Sequence, residues 1–218
     1  TYVHDFIAYQ AEAMVVFPYY YPDKEVELNS LLQRLENAVF IGDFPFRSCS
    51  GVCRDIVDGV NQAFDYLVGR GRGRIALLIN DSQRKGILDR KRAFENASKR
   101  HGAETNERLI YRIPADRALG PQCMDAIFKR FVKDENVDAV ITQNDFFAAE
   151  LITKLLGEGV NVPKDVAVIG CDNQDFGKYT AVPLTTIDLL PQVQGEKIAD
   201  LALAHDLFLV ADEAYHFF

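Results

Sequence analysis

Six short apolar runs recur along this chain, and most of them close on polar residues. They are AMVVF ending at Phe17, AVFIG at Gly42, IALLI at Ile79, LIYRI at Ile113, DAVIT at Thr142 and VAVIG at Gly170. None alternates apolar with polar, which is the signature of strands covered on both faces and hence of parallel sheets. Between them lie helical patterns: KEVELNSLLQRLEN, GVNQAFDYLVGRG, ILDRKRAFENASKRHG, GPQCMDAIFKRFVKD, DFFAAELITKLLGEG and PQVQGEKIADLALA. Strand and helix in alternation predict βα units around parallel sheets. Gly71, Gly102 and Gly159 are placed to end helices in a left-handed turn, and Pro191 to open one.

The carboxyl ends of these runs are equally ordered. Asp43 stands after AVFIG; Asn80, Asp81 and Ser82 after IALLI; Gln143, Asn144 and Asp145 after DAVIT; Cys171, Asp172 and Asn173 after VAVIG. Open α/β sheets bind ligands outside the carboxyl ends of their strands. Any one of these residues reads equally as a helix cap or a turn. Their recurrence at several strand ends favours a binding crevice.

Bulk properties narrow the partners. The 218 residues suffice for one large α/β domain or two smaller lobes sharing a cleft. With 32 acidic against 24 basic side chains, the net charge of -8 gives little attraction for a phosphate backbone, so nucleic-acid contact needs another segment. Cys49, Cys53, Cys123 and Cys171 lack the spacing of a zinc site and read as reduced thiols of a cytoplasmic protein. No apolar run reaches the roughly 18 residues of a membrane span, and no basic-then-apolar leader opens the chain. Thr1 stands where no initiator methionine does, so part of a longer polypeptide is expected.

Catalytic signatures are missing from the sequence. It has no His-Glu-x-x-His, Gly-x-Ser-x-Gly or Walker loop, and GRGRGR at 69–74 lacks the lysine and hydroxyl of a phosphate loop. His4, His101, His205 and His216 show no ligand spacing, and Asp134 with Glu135 reads as a solvated helix end. No catalytic residue, metal or cofactor is expected.

The stretch DAVITQNDFFAAELITKLLGEGVNVPKDVAVIGCDN with VPLTTID resembles the effector-binding domain of the lactose/galactose-repressor (LacI/GalR) family. AMVVFP, AVFIGD, VCRDIVDG, YLVGRGRGRIALLIND and RKRAFENA keep the same family order, extending the resemblance from Thr1 to about Ala204. It implies an α/β fold like that of the type I periplasmic binding proteins: two doubly wound parallel-sheet lobes joined by hinge crossovers, the first lobe incomplete here. The first lobe would take 1–54 plus 185–218 and the second 55–184, with PLTTI as the strand returning between them. The DNA-binding head would precede Thr1.

Matched position by position, the resemblance implies ligand contacts at Arg90, Asn144 and Asp172, with Phe17 and Asp43 at the strand ends of the opposing lobe. By spacing alone Arg90 is one helix charge beside Lys91 and Arg92. An arginine fork and an amide–carboxylate pair supply the donors and acceptors that sugar hydroxyls require. The chain departs from the family at Ala115, where many sugar-binding members carry an aromatic ring, and at Asp188 and Leu189. Both departures point away from an unmodified hexose. Tyr19, Tyr20 and Tyr21 could stack on a ligand or form a subunit interface.

The tail HDLFLVADEAYHFF is similar to a short segment of fold-type-I pyridoxal-phosphate aminotransferases, with Asp212 and Tyr215 at the matching places. It lacks the Schiff-base lysine in its usual context, so that chemistry is not expected. Together these features imply the sensing and dimerisation domain of a bacterial transcription regulator. Its partners would be a sugar-like effector, a second copy of the chain and, through a segment outside it, operator DNA; no membrane contact is expected. A periplasmic sugar-binding protein of a transport system is the alternative.

Overall fold

β-branched and leucine-rich runs fold into two separate parallel sheets in the computed structural model, which describes residues 14–16, 38–41, 50–52, 54–103, 106–114 and 120–204. The chain divides into two units, Thr1–Arg54 with Leu190–Phe218, and Asp55–Leu189. In the first unit β1 (Met14–Val16), β2 (Ala38–Ile41) and β3 (Ser50–Val52) pair in that order, all parallel. Its helix Pro191–Ala204, α5 in chain order, begins at the expected proline. Nothing in RSCSGVC announces β3, because three residues at the side of a sheet need backbone pairing rather than an apolar run.

The second unit carries the larger sheet. Its elements are α1 (Ile56–Gly69), β4 (Ile75–Asn80), α2 (Lys85–Arg100), β5 (Ile110–Ile113), α3 (Pro121–Phe128), β6 (Ala139–Thr142), α4 (Asp145–Gly157), β7 (Ala167–Cys171) and β8 (Thr185–Ile187). The strands order β5-β4-β6-β7-β8, all parallel. Gly71, Gly102 and Gly159 take φ of 81°, 63° and 76°, the left-handed values that let the chain turn from helix to strand. α3 does not continue as one α-helix to Asp134; its last stretch, Lys129–Asp134, is a π-helix.

Strand pleating divides the core. Ile75, Leu77, Ile79, Ile141 and Ile169 face α1 and α2, while Ala76, Leu78, Val140 and Val168 face α3 and α4. Phe64 and Phe94, both fully buried, close the α1–α2 layer edge to face at 5.6 Å, worth about 0.5–1.5 kcal/mol beyond their burial. With helices on both faces, the inner strands β4, β6 and β7 are almost wholly apolar and buried, whereas β5 and β8 at the edges of this sheet carry the exposed Arg112 and Thr185.

Two sequence expectations are corrected. Thr185–Ile187, assigned to the first lobe with residues 185–218, pairs along β7 and completes the second unit's sheet, so the division falls after Leu189. The register Ile169↔Thr185 to Cys171↔Ile187 keeps β8 there through backbone hydrogen bonds. Glu135 is no solvated helix end: it is 6% exposed and accepts from the guanidinium groups of Arg108 and Arg74. Those partners lie far away in sequence, where no local pattern reveals them.

The GRGRGR turn is explained by the same corner. Arg72 donates to the carbonyls of Pro163 and Lys164, and the amides of Gly73 and Arg74 donate to Asp138 at 2.9 and 3.1 Å. The turn is a structural clamp. Arg108's hydrogen bond holds the Glu135 carboxyl below the usual carboxylate range; burial opposes this and Arg74 adds to it. A value lowered by folding contributes stability above the ordinary value of 4.5, which is lost as pH falls through the folded value. Glu135→Gln should therefore lower the thermal midpoint at pH 7, and the difference from the parent should shrink as the melts are repeated at acid pH.

Candidate functional site

In a parallel sheet ordered β5-β4-β6-β7-β8 the chain winds one way from β4 to β5, crosses back to β6, and then winds the other way to β7 and β8. Connections therefore leave the β4 and β6 carboxyl ends in opposite directions and open a crevice between them. The residues there are Asn80 at the end of β4, Gln143 and Asn144 after β6, and Asp172 after β7. Gln143 ties the two central ends together, its Oε1 accepting from the Asn80 amide at 2.7 Å. Asn144 and Asp172 come after the Ile141–Ile169 pair by the same number of residues, on neighbouring strands.

Arg90 stands on the second turn of α2, half-buried, and leans across this edge. Its Nη1 donates to the Gly86 carbonyl at 3.1 Å and its Nη2 to Cys171 Sγ at 3.7 Å. Among the described residues no carboxylate lies within ion-pair distance of it. Its neighbour supplies no charge: burial pushes the Cys171 thiol up to about 11, although the Arg90 cation pulls the other way. At neutral pH the thiol keeps its proton. A guanidinium held by one carbonyl and one neutral sulfur retains donors and a charge for a ligand.

Lys91 and Arg112 show the contrast. They line a depression of about 200 Å³ beside Asn80, Asp81 and Ser82, on another side of α2. Both are already engaged by Glu107, at 3.1 and 2.9 Å. The run DRKR thus contains cations with different surroundings, which sequence spacing could not separate.

Asn144 is both a helix cap and a rim residue. Its Oδ1 accepts from the Phe147 amide at 2.9 Å and caps α4, and its extended backbone (φ -152°) is that of a cap. With the carbonyl oxygen occupied, the NH₂ group is the part left to face a ligand. Asp172 sits at φ 104° and Asn173 at φ 50°, two successive residues in conformations that L side chains rarely adopt. Each such residue costs on the order of 1–3 kcal/mol unless its surroundings impose it. The Asp172 amide donates to the Ile187 carbonyl at 3.0 Å, and the Asn173 amide to Thr186 Oγ1 at 3.2 Å.

Asp145 underlies this corner. The sequence marked it only as one more polar residue after β6, whereas its side chain is fully buried. Its Oδ1 accepts from the Thr186 hydroxyl at 2.6 Å and its Oδ2 from the Gln174 amide at 2.7 Å. The signal that could have found it is the pairing of an Asp at the first helical position with the Thr-Thr of β8.

Phe17, Asp43, Tyr19–Tyr21, Ala115, Asp212 and Tyr215 lie outside the described residues. Among the described residues no cluster of His, Cys, Asp or Glu could hold a metal, and no helix is long and apolar enough to cross a membrane.

Comparison with known proteins gives this geometry a context. Residues 64–206 match the periplasmic binding protein-like domain family. The chain is 27% identical over 203 residues to the HTH-type transcriptional regulator GalR of Escherichia coli (strain K12), covering 93% of this chain and 58% of that regulator. It spans less than two thirds of such curated relatives. Two solved structures share the fold. One is a sugar-binding transcriptional regulator of the LacI family from Escherichia coli complexed with phosphate, with TM-score 0.79, 21% identity, and coverage of 96% of this chain and 74% of that one. The other is a LacI-family regulator from Lactobacillus casei with bound glucose, with TM-score 0.76, 19% identity, and coverage of 96% and 78%.

Proposed function

The chain belongs to the periplasmic binding protein-like domain family, in the form carried by LacI/GalR-family regulators, and on that premise we propose that it senses a sugar or sugar derivative for a DNA-binding transcription regulator. The observation that carries the proposal is the Arg90 guanidinium, half-buried at the strand switch point, without a carboxylate partner among the described residues and beside a protonated thiol. Arg90, the Asn144 amide and Asp172 would bind the effector together. A sugar satisfies this set because adjacent hydroxyls both donate and accept, matching a guanidinium fork on one side and a carboxylate on the other.

Sensing requires that the effector bind one conformation of the protein better than another. In a homodimer, that preference would change the spacing of DNA-reading heads carried outside this chain. Effector and DNA affinity would then be linked by one coupling free energy, on the order of 1–3 kcal/mol. Exposed aromatic side chains at Phe146, Phe176 and Tyr179 support an interface between copies.

The test is calorimetric titration with D-glucose, D-galactose, their 6-phosphates and inorganic phosphate. At least one sugar or sugar phosphate is expected to bind the parent, and Asp172→Ala should weaken it more than tenfold with the fold intact. Asp172 is preferred to Asn144 for this purpose, since Asn144→Ala also removes a cap worth about 1 kcal/mol. An unchanged affinity in Asp172→Ala removes that residue from the site, and inorganic phosphate as the sole binder would reassign the site to anions.

A further inference from the structure

We infer that Asp145 and Thr186 form a latch that sets the backbone of Asp172 and Asn173 and so aims the Asp172 carboxylate into the crevice. The second half of this inference rests on Asp172 being an effector contact. Asp145 is a positioning residue: it is fully buried, and both its oxygens are consumed by protein donors.

The connections run in one direction. Oδ1 of Asp145 accepts the hydrogen bond of the Thr186 hydroxyl, which leaves the Thr186 oxygen with lone pairs for the Asn173 amide. Oδ2 takes the Gln174 amide, the next along the same loop. Two consecutive amides after Asp172 are thereby pinned, one directly and one through the hydroxyl. The Asp172 amide is held by the Ile187 carbonyl of β8, and Asn173 Nδ2 donates to Asp188 at 2.9 Å, so the returning strand grips the loop from both sides. Asp172 and Asn173 are driven to φ of 104° and 50° by these fixed ends rather than by glycine.

Asp145 immediately succeeds Asn144, the cap of α4 and another proposed effector contact. One buried carboxylate therefore ties the Asn144 corner, the Asp172 loop and β8, the strand that leads out of the second unit at Leu189. An effector that moved Asp172 would load the latch directly.

Thr186→Val removes the hydroxyl at nearly constant shape, and Thr186→Ser restores it. In the effector-free protein, positive φ gives Asn173 an intense intraresidue amide–Hα NOE, which an ordinary negative φ does not. The expected result is loss of that NOE in Thr186→Val and its retention in Thr186→Ser. The affinity for whichever of the sugar probes binds the parent should fall at least fivefold in the valine variant and recover in the serine variant. Retention of the NOE in Thr186→Val overturns the latch; its loss with unchanged affinity overturns the aiming role. If no probe binds the parent, the NOE still decides the latch and the failure belongs to the proposed function. Asp145→Asn, which keeps one acceptor oxygen, should lose either the Gln174 or the Thr186 hydrogen bond and behave between parent and valine variant.

Discussion

Gly170→Ala is expected to destabilise the second unit by about 3 kcal/mol, from overpacking together with disrupted buried hydrogen bonds. A Cβ at Gly170 would stand 2.1 Å from Asp145 Oδ1 and 3.0 Å from Leu184 Cδ2. The first of these atoms ends a short side chain, but it is not free to swing. Moving it breaks the bond to the Thr186 hydroxyl, and moving the whole carboxylate also breaks that to the Gln174 amide. Gly170 is thus demanded by a close approach rather than by its own backbone. Urea unfolding monitored by circular dichroism measures the effect, and a double-mutant cycle identifies its source. In an Asp145→Ala background the carboxylate is absent, so Gly170→Ala should cost at least 1.5 kcal/mol less, a coupling typical of residues in contact. An equal cost in both backgrounds would place the clash elsewhere.

This corner also shows what a sequence can and cannot disclose. VAVIG was legible as a buried strand, and the two-sided core confirms why: Val168 faces one helical layer while Ile169 faces the other. The parallel sheet of the second unit arises from such runs alternating with amphipathic helices. The polar rim was legible as a set, because strand carboxyl ends share one edge of a parallel sheet. Individual roles were not. Asn144 looks the same in sequence whether it caps a helix or faces a ligand, and here the cap consumes only its oxygen. Asp145 and Glu135 are buried by partners distant in sequence, Thr186 and Arg108 among them, and composition at their own positions suggests solvent. Thr185–Ile187 was read as a strand, but its sheet was set by pairing with β7, which no local pattern contains.

Arg90→Ala should weaken effector binding by roughly 10- to 150-fold, the loss of about 1.5–3 kcal/mol expected for a hydrogen bond to a charged group. The folded state should scarcely notice. Arg90 makes no ion pair among the described residues, and its protein contacts are one carbonyl on its own helix and a sulfur at 3.7 Å. Thermal melts and titrations on the same variant separate the two effects. Arg90→Lys then reads the chemical class of the effector, because lysine keeps the charge and loses the planar fork. If the contact is to neighbouring hydroxyls, lysine should fall nearly as far as alanine, since two directed donors are gone. If it is to a phosphate or carboxylate, lysine should retain affinity within several-fold, and the remaining interaction should weaken as salt is raised. Parent affinity in Arg90→Ala would remove Arg90 from the site and with it the main support for an effector held at this switch point.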